Sequence, residues 1–360
     1  MFTASRLILV TLIVFSRQII ERGPHVWVSR QTEHGGTLLD ILTQWDGMWY
    51  RLIASQGYAP PTPEVAAAWF PLYPILVRAV EFIVRDFQVA SLVVSNGCLI
   101  AAALLLMRLL RLDYDELVSR RAITFLMFNP VSFFLSSAYT ESIFLLLSIG
   151  ALFAARQGKW LVAALSGMCL SATRAPGLMI GAPLFTEYVL EWWKGGGTAR
   201  AFFRPRLLLL ALVPVGLAAY LFYSYVQRGD LLLPLHAQAS GWGKTLTLPW
   251  DSFLWPRSFP PSHIPLYRTI VGAAIILIGA GFFLRLRATY SVYAVASILF
   301  CLAWGTLEAL PRYISIIFPI YIVLALLSSR WKWMYEPLLA FSIALLALCT
   351  VLFANAYQMT

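Results

Sequence analysis

Charge is scarce in this sequence. Asp, Glu, Lys and Arg together make up 12% of the 360 residues, about half the fraction found in soluble domains. So few charges cannot cover a water-facing surface. With 60% of the residues hydrophobic, lipid must be the solvent for much of the chain. No long polar stretch remains for a separate soluble domain. Cysteine is sparse too: Cys98, Cys169, Cys301 and Cys349 lie inside apolar runs, without metal-ligand spacing and outside loops that a disulfide would tie down. They read as small core residues. Also missing are GxxxxGKS/T, HExxH and GxSxG, which argues against ATP-driven transport within this chain. No repeat relates two halves, which weakens a secondary-transporter reading.

What charge there is carries one sign. The net charge is +10, and the excess is arginine, 23 residues against 4 lysines. In a soluble protein this would suggest nucleic acid. In a membrane protein it reflects basic residues gathering on the cytoplasmic side, so nucleic acid is not an expected partner. At roughly 20 apolar residues per crossing, the length allows about eleven transmembrane helices. Apolar runs predict them near 5–20, 88–107, 121–138, 142–155, 160–173, 175–192, 207–226, 267–284, 289–304, 313–328 and 335–356. Leu7–Phe15 has the look of a signal-peptide core, but SRQIIERG follows without a small-x-small cleavage site, so an uncleaved helix is expected. Pro130, Pro176 and Pro183 predict broken or partly inserted helices where the chain lines a cavity.

The segment 68–86, AWFPLYPILVRAVEFIVRD, is apolar yet carries Arg78, Glu81, Arg85 and Asp86. It reads as an amphipathic surface helix rather than a span. With the N-terminus inside, this choice makes RLLRLDYDELVSRR, RQGK, KGGGTARAFFRPR, RLR and RWK all cytoplasmic. A spanning 68–86 would turn each of them outward. Two outer loops follow, 21–87 and 227–266, and they contain His25, His34, His236 and His263. The expected organisation is one membrane domain over 1–360, with a motif-bearing module at 1–226 and an outer loop plus C-terminal helices at 227–360.

Five places in this frame can carry chemistry. In QWDGMWYRLIASQGY, Asp46 lies between Trp45 and Trp49, with Tyr50 next. This is either an interfacial aromatic belt with an Asp-Gly turn or a carboxylate in a partly dry site, able to take a proton from a hydroxyl. AWFPLYP, with two prolines, fixes the start of the surface helix. In FNPVSFFLSSAYTES, Glu141 stands beside Tyr139: it either supports a cap with Thr140 or accepts hydrogen bonds from sugar hydroxyls. Arg174 in SATRAPG needs either a structural partner such as Glu141 or an anionic ligand. Arg312 in LEALPRY either binds phosphate or snorkels to headgroups, and Lys244 is a weaker site of the same kind.

Taken in order, WDGMWYRLIASQGY, WFPLYP and NPVSFFLSSAYTESIF resemble the PIG-V family, the second mannosyltransferase of GPI-anchor assembly and its bacterial relatives. The resemblance covers residues 45 to 177. ATRAPG resembles that family's Arg-Ser-Asn-Gly element, with Ala175 and Pro176 in place of Ser-Asn, and LPRY resembles its late Arg-containing helix. The resemblance implies an all-α polytopic membrane protein of GT-C glycosyltransferase type, with the surface helix in its first outer loop. It implies an inverting transferase that moves a sugar, mannose by analogy, from a polyprenyl-phosphate carrier to an acceptor hydroxyl on a glycan, glycolipid or protein.

In that reading Asp46 is the general base. Arg312, Arg174 or Lys244 neutralises the leaving phosphate, while Glu141 and the aromatic residues Trp45, Trp49, Tyr50 and Tyr139 orient sugars. Outer-loop carboxylates leave a divalent cation open. The expected location is a bacterial cytoplasmic membrane, or the endoplasmic reticulum in a eukaryote, with membrane lipids around it and the active site extracytoplasmic. The alternative is a transporter or flippase of a lipid-linked sugar.

Overall fold

The computed structural model describes residues 1–21, 23, 36–198, 202–203, 205–257 and 259–357. His25 and His34 lie outside these. Among the described residues every regular element is helical. Five helical stretches are long and apolar enough to cross a membrane: Phe2–Ile19, Phe87–Leu110, Pro205–Arg228, Pro261–Phe283 and Lys332–Ala354. Trp160–Ser171, Ala288–Leu302 and Pro319–Arg330 are apolar but shorter.

Four expected helices are divided: 207–226 passes through a 3-10 turn, Leu210–Leu212, before helix Val215–Arg228, and the other three divisions have the following local causes. The stretch predicted as 121–138 ends at Met127 and resumes as a single 3-10 turn over Ser132–Leu135. Pro130 bars helical backbone at Asn129. Asn129 takes over the loose ends: Nδ2 donates to the Leu126 carbonyl at 2.8 Å and Oδ1 accepts from the Val131 N–H at 3.0 Å. Arg6 of the first helix completes the repair. Its guanidinium donates to the Met127 and Ser132 carbonyls and to the Ser132 and Ser136 hydroxyls at 2.7–3.0 Å. The freed backbone groups are thus satisfied from a neighbouring helix. The 175–192 stretch begins with a 3-10 segment, Ala175–Ile180, before helix Gly181–Lys194. Here Gly177 is required, because a Cβ would stand 2.2 Å from the Leu170 carbonyl oxygen. The 313–328 stretch is two helices, Leu310–Ser315 and Pro319–Arg330, with Pro319 opening the second.

The surface helix is present as Leu72–Val84. Tyr73, Pro74 and Val77 face the protein, while Ile75, Phe82 and Ile83 are exposed. It ends where Arg85 turns left-handed (φ 59°) and the Asp86 side chain caps the next helix by accepting from the Val89 N–H at 2.8 Å. The two long loops expected on the outer face contain helices that apolar patterning did not reveal, among them Asp46–Gln56, Leu233–Trp242 and Pro249–Leu254.

Three of the segments grouped by charge, RLLRLDYDELVSRR, RQGK and RLR, meet one another. Arg156 pairs with Asp113 at 2.6 Å, and Arg287 pairs with Glu187 at 2.6 Å and with Asp113 at 3.5 Å. Tyr290 and Thr289 add hydrogen bonds to the same two carboxylates. Helix Glu141–Arg156 has this cluster at its C-terminal end. Sixteen residues make it about 24 Å long, so Glu141 sits at the opposite end of the fold.

Candidate active site

Asp46 is the first residue of helix Asp46–Gln56, where the helix dipole favours a negative charge. Trp45 before it has φ 59° and ψ −121°, an unfavourable conformation for a residue with a Cβ, and this turn aims Asp46. The next residue, Gly47, lies against the Ala138 backbone: a Cβ there would be 3.1 Å from the Ala138 Cβ. The Ala138 N–H donates to the Leu42 carbonyl at 2.8 Å, and the Tyr139 hydroxyl to the Gln44 carbonyl at 3.2 Å. The WDGMWY and SSAYTES segments are therefore stitched into one unit, and Asp-Gly opens a helix rather than forming a free turn.

Glu141 opens its own helix, and Thr140 takes the N-cap position without a side-chain capping bond. Arg174 stands in extended backbone (φ −164°, ψ 150°) just before the Ala175–Ile180 turn. Arg312 lies in the first turn of Leu310–Ser315, which starts at Ala309 in the left-handed conformation (φ 61°). Both helices that deliver Asp46 and Arg312 thus begin with a strained non-glycine residue.

Four side chains form one ion-pair chain. Arg312 Nη1 meets Asp46 Oδ2 at 2.6 Å, and Arg312 Nε meets Glu141 Oε1 at 2.9 Å. Arg174 Nη1 reaches the same Glu141 oxygen at 2.7 Å. Arg174 stacks on Tyr313 at 4.4 Å, and Arg312 on Tyr139 at 4.8 Å and Phe134 at 5.3 Å. Two positive and two negative charges cancel, which makes their burial tolerable. Glu141 is fully sealed at 0% exposure, whereas the Asp46 side chain keeps 26%. Asp46 Oδ1 makes no hydrogen bond among the described residues.

Asp46, Arg174 and Arg312 form part of the wall of a cavity of about 290 Å³, within the range of a small ligand site. Lys244 and Glu308 add two more charges to its lining, while Leu178, Leu217, Leu221, Leu246, Phe300 and Trp304 make the apolar side. Tyr50 also lines it; Trp45, Trp49, Tyr139 and Glu141 do not. Trp49 stacks on Trp69 at 4.6 Å, and Trp69 meets Trp242 edge-on at 5.1 Å, so Trp69 and Trp242 form one aromatic corner of the cavity. Lys244 stays outside the ion-pair chain, its Nζ 5.8 Å from the Trp242 ring centre. His236 pairs with Asp230 at 2.6 Å, and His263 lies edge-on to Phe259; neither lines the cavity. Among the described residues no three or more His, Cys, Asp or Glu side chains are grouped to hold a metal ion.

Sequence reasoning overlooked Glu308, Tyr313, Trp69 and Trp242. Glu308 stood in the LEALPRY motif, four residues before Arg312, and that spacing was its one signal. Burial raises its carboxyl above the ordinary value, an effect opposed by the Lys244 charge, reinforced by Asp46 and opposed by Arg312.

These features define a polytopic, all-helical integral membrane protein with a charged cavity flanked by apolar helices. The family to which the motifs pointed is found by comparison: the model of the Mannosyltransferase (PIG-V) family matches residues 26–179. The matched part carries Asp46, Glu141 and Arg174; Lys244, Glu308 and Arg312 lie beyond it. GPI mannosyltransferase 2 of Drosophila pseudoobscura pseudoobscura is 30% identical over an alignment of 226 residues that covers 57% of this chain and 48% of that protein. The chain spans about half the length of this curated relative. Among solved structures, the Archaeoglobus fulgidus oligosaccharyltransferase in complex with zinc and sulfate is 17% identical, with a TM-score of 0.44 over 97% of this chain and 52% of that one. Its apo form is 14% identical, with a TM-score of 0.42 over 98% and 55%.

Proposed function

We propose that this chain is a membrane glycosyltransferase that moves a sugar, mannose by family analogy, from a polyprenyl-phosphate carrier to an acceptor hydroxyl on the extracytoplasmic side. The observation that carries this reading is the placement of an Arg312-held carboxylate, Asp46, on the wall of a cavity flanked by apolar helices. The two domain halves proposed from the sequence meet here, since Asp46 and Arg312 come from different ones.

In this reaction the acceptor oxygen attacks the anomeric carbon opposite the lipid phosphate, so the configuration inverts. The acceptor proton goes to Asp46 Oδ1, and the C–O bond to the phosphate breaks with its electron pair. Asp46 serves as the base because Arg312 fixes its orientation while one oxygen stays open to the cavity. Trp69 and Trp242 offer flat apolar faces for sugar rings. Glu141 has a positioning role: sealed beneath the cavity, it holds Arg174 and Arg312 in place. The apolar walls suit an isoprenyl chain arriving from the bilayer.

The test is purified protein in liposomes with radiolabelled polyprenyl-phosphomannose and a membrane extract as acceptor. Label should pass to an acceptor fraction. Movement of the labelled lipid between leaflets with no transfer to any acceptor would replace this reading with a flippase.

A further inference from the structure

The charges on the cavity wall do not provide a ready phosphate site. Arg174 and Arg312 are both committed to buried carboxylates, in a chain of zero net charge. Lys244 is the cation on the wall without an ion pair among the described residues, and Glu308 is the carboxylate without one. The chain holds these two together. The Lys244 loop is stitched to the Glu308 turn by three hydrogen bonds: Thr247 N–H to the Ala303 carbonyl at 2.9 Å, Arg257 N–H to the Gly305 carbonyl at 2.7 Å, and Gly305 N–H to Ser252 Oγ at 2.8 Å. Gly305 has φ 72°, and a Cβ there would press on the Thr245 carbonyl oxygen at 3.2 Å, so the contact is close.

We infer that Glu308 is a resident counter-charge which occupies the field of Lys244 in the empty cavity and must be neutralised or displaced when an anionic phosphodiester binds. This inference rests on the proposed sugar donor. With Glu308 ionised, the six wall and floor charges sum to zero. With Glu308 neutral they sum to +1, matching a singly charged phosphodiester. Glu308 is thus a specificity-determining residue that tunes affinity for the lipid-phosphate group, and Lys244 is its phosphate-facing partner. The charged and titratable groups acting on Glu308 are Lys244 from the second outer loop, Asp46 from the Asp46–Gln56 helix, Arg312 on its own segment and Tyr267 from Ile264–Phe283.

The experiment is binding of a short-chain isoprenyl phosphomannose to the full-length protein in nanodiscs, without acceptor, between pH 4.5 and 8. This diester keeps one negative charge throughout. Wild-type affinity should rise as pH falls and Glu308 takes up a proton. Glu308→Gln should bind on the order of tenfold tighter at pH 7.5 and lose the pH response; in a separate transfer assay with acceptor, its KM should fall more than its kcat. Lys244→Gln should bind at least tenfold more weakly. Unchanged or weaker binding by a folded Glu308→Gln, or a pH response that persists in it, would overturn the inference while leaving the transferase reading intact. Should that variant fail to fold, wild-type binding that does not tighten at low pH overturns it equally. Wild-type protein that binds no isoprenyl phosphomannose at any pH would overturn the sugar donor as well.

Discussion

Arg312 holds Asp46 through a 2.6 Å contact between Nη1 and Oδ2, across 266 residues of chain. The same guanidinium uses Nε for Glu141, so one planar group sets the orientation of the cavity carboxylate from a buried anchor. Lysine carries the charge but not the fork. Arg312→Lys should therefore keep the fold, as judged by its thermal melt, yet lose at least about 100-fold in transfer rate because Asp46 is no longer aligned. A lysine variant with near-normal kcat would show that charge alone suffices.

Glu141 is fully buried between two guanidinium groups. Replacing it with Gln leaves Arg174 without its counter-charge and Arg312 with Asp46 alone, and breaking a buried pair in this way costs about 3–5 kcal/mol. Removing Arg174 together with Glu141 should recover part of that loss, since the two changes are coupled. Thermal melts of Glu141→Gln, Arg174→Met and the double variant check this. Strict additivity of the two single losses would contradict the coupling.

Gly47 packs where a Cβ would meet Ala138 at 3.1 Å. Alanine gains up to about 1 kcal/mol of helix propensity, against about 1–3 kcal/mol of overpacking. Gly47→Ala should thus lower stability by less than about 2 kcal/mol, while transfer falls much further because Asp46 moves with the helix. Comparing melting temperature with kcat separates the two effects.

Burial raises the Glu308 carboxyl in the folded protein above its ordinary value. A group of this kind contributes stability that is fully present below its unfolded pKa and is lost as pH rises through the folded one. At neutral pH the ionised Glu308 therefore weakens the fold, and Glu308→Gln should melt higher than wild type at pH 7.5. The advantage should vanish near pH 4, where both proteins carry a neutral side chain. Melting curves across that window give the sign directly.

Sidedness has its own test. In a background with the four native cysteines replaced, cysteines at Thr198 and Lys332 should react with an impermeant thiol reagent only after the membrane is opened. Cysteines at Glu64 and Trp255 should react in intact cells. Reaction of the Thr198 position from outside would invert the topology.

The sequence carried the membrane class, the surface helix and most apolar helices, because lipid burial writes itself as long hydrophobic runs. It also brought out Asp46, Glu141, Arg174 and Arg312 as costly charges in apolar company, and left open for Arg174 the partner that the structure supplies, Glu141. Other features stayed hidden for physical reasons. Helix Asp46–Gln56 has no apolar run to mark it, and its start depends on the strained Trp45. The break at Asn129 depends on tertiary repair by the four hydrogen bonds from Arg6. Glu308 had no signal beyond its place in LEALPRY, because only the fold brings it into the field of Lys244. Trp49 stands out in the sequence as a sugar platform and Trp69 only as part of the start of the surface helix, yet of the two it is Trp69 that lines the cavity.

Asp46 is assigned as the group that takes the acceptor's proton, and Asp46→Asn removes that capacity alone. The variant keeps the shape of the side chain and a hydrogen-bond acceptor for Arg312, but it cannot act as a base. Single-turnover transfer from polyprenyl-phosphomannose should fall by about 100- to 10,000-fold, with binding of the isoprenyl phosphomannose within a few-fold of wild type. Near-normal turnover by folded Asp46→Asn would contradict the account.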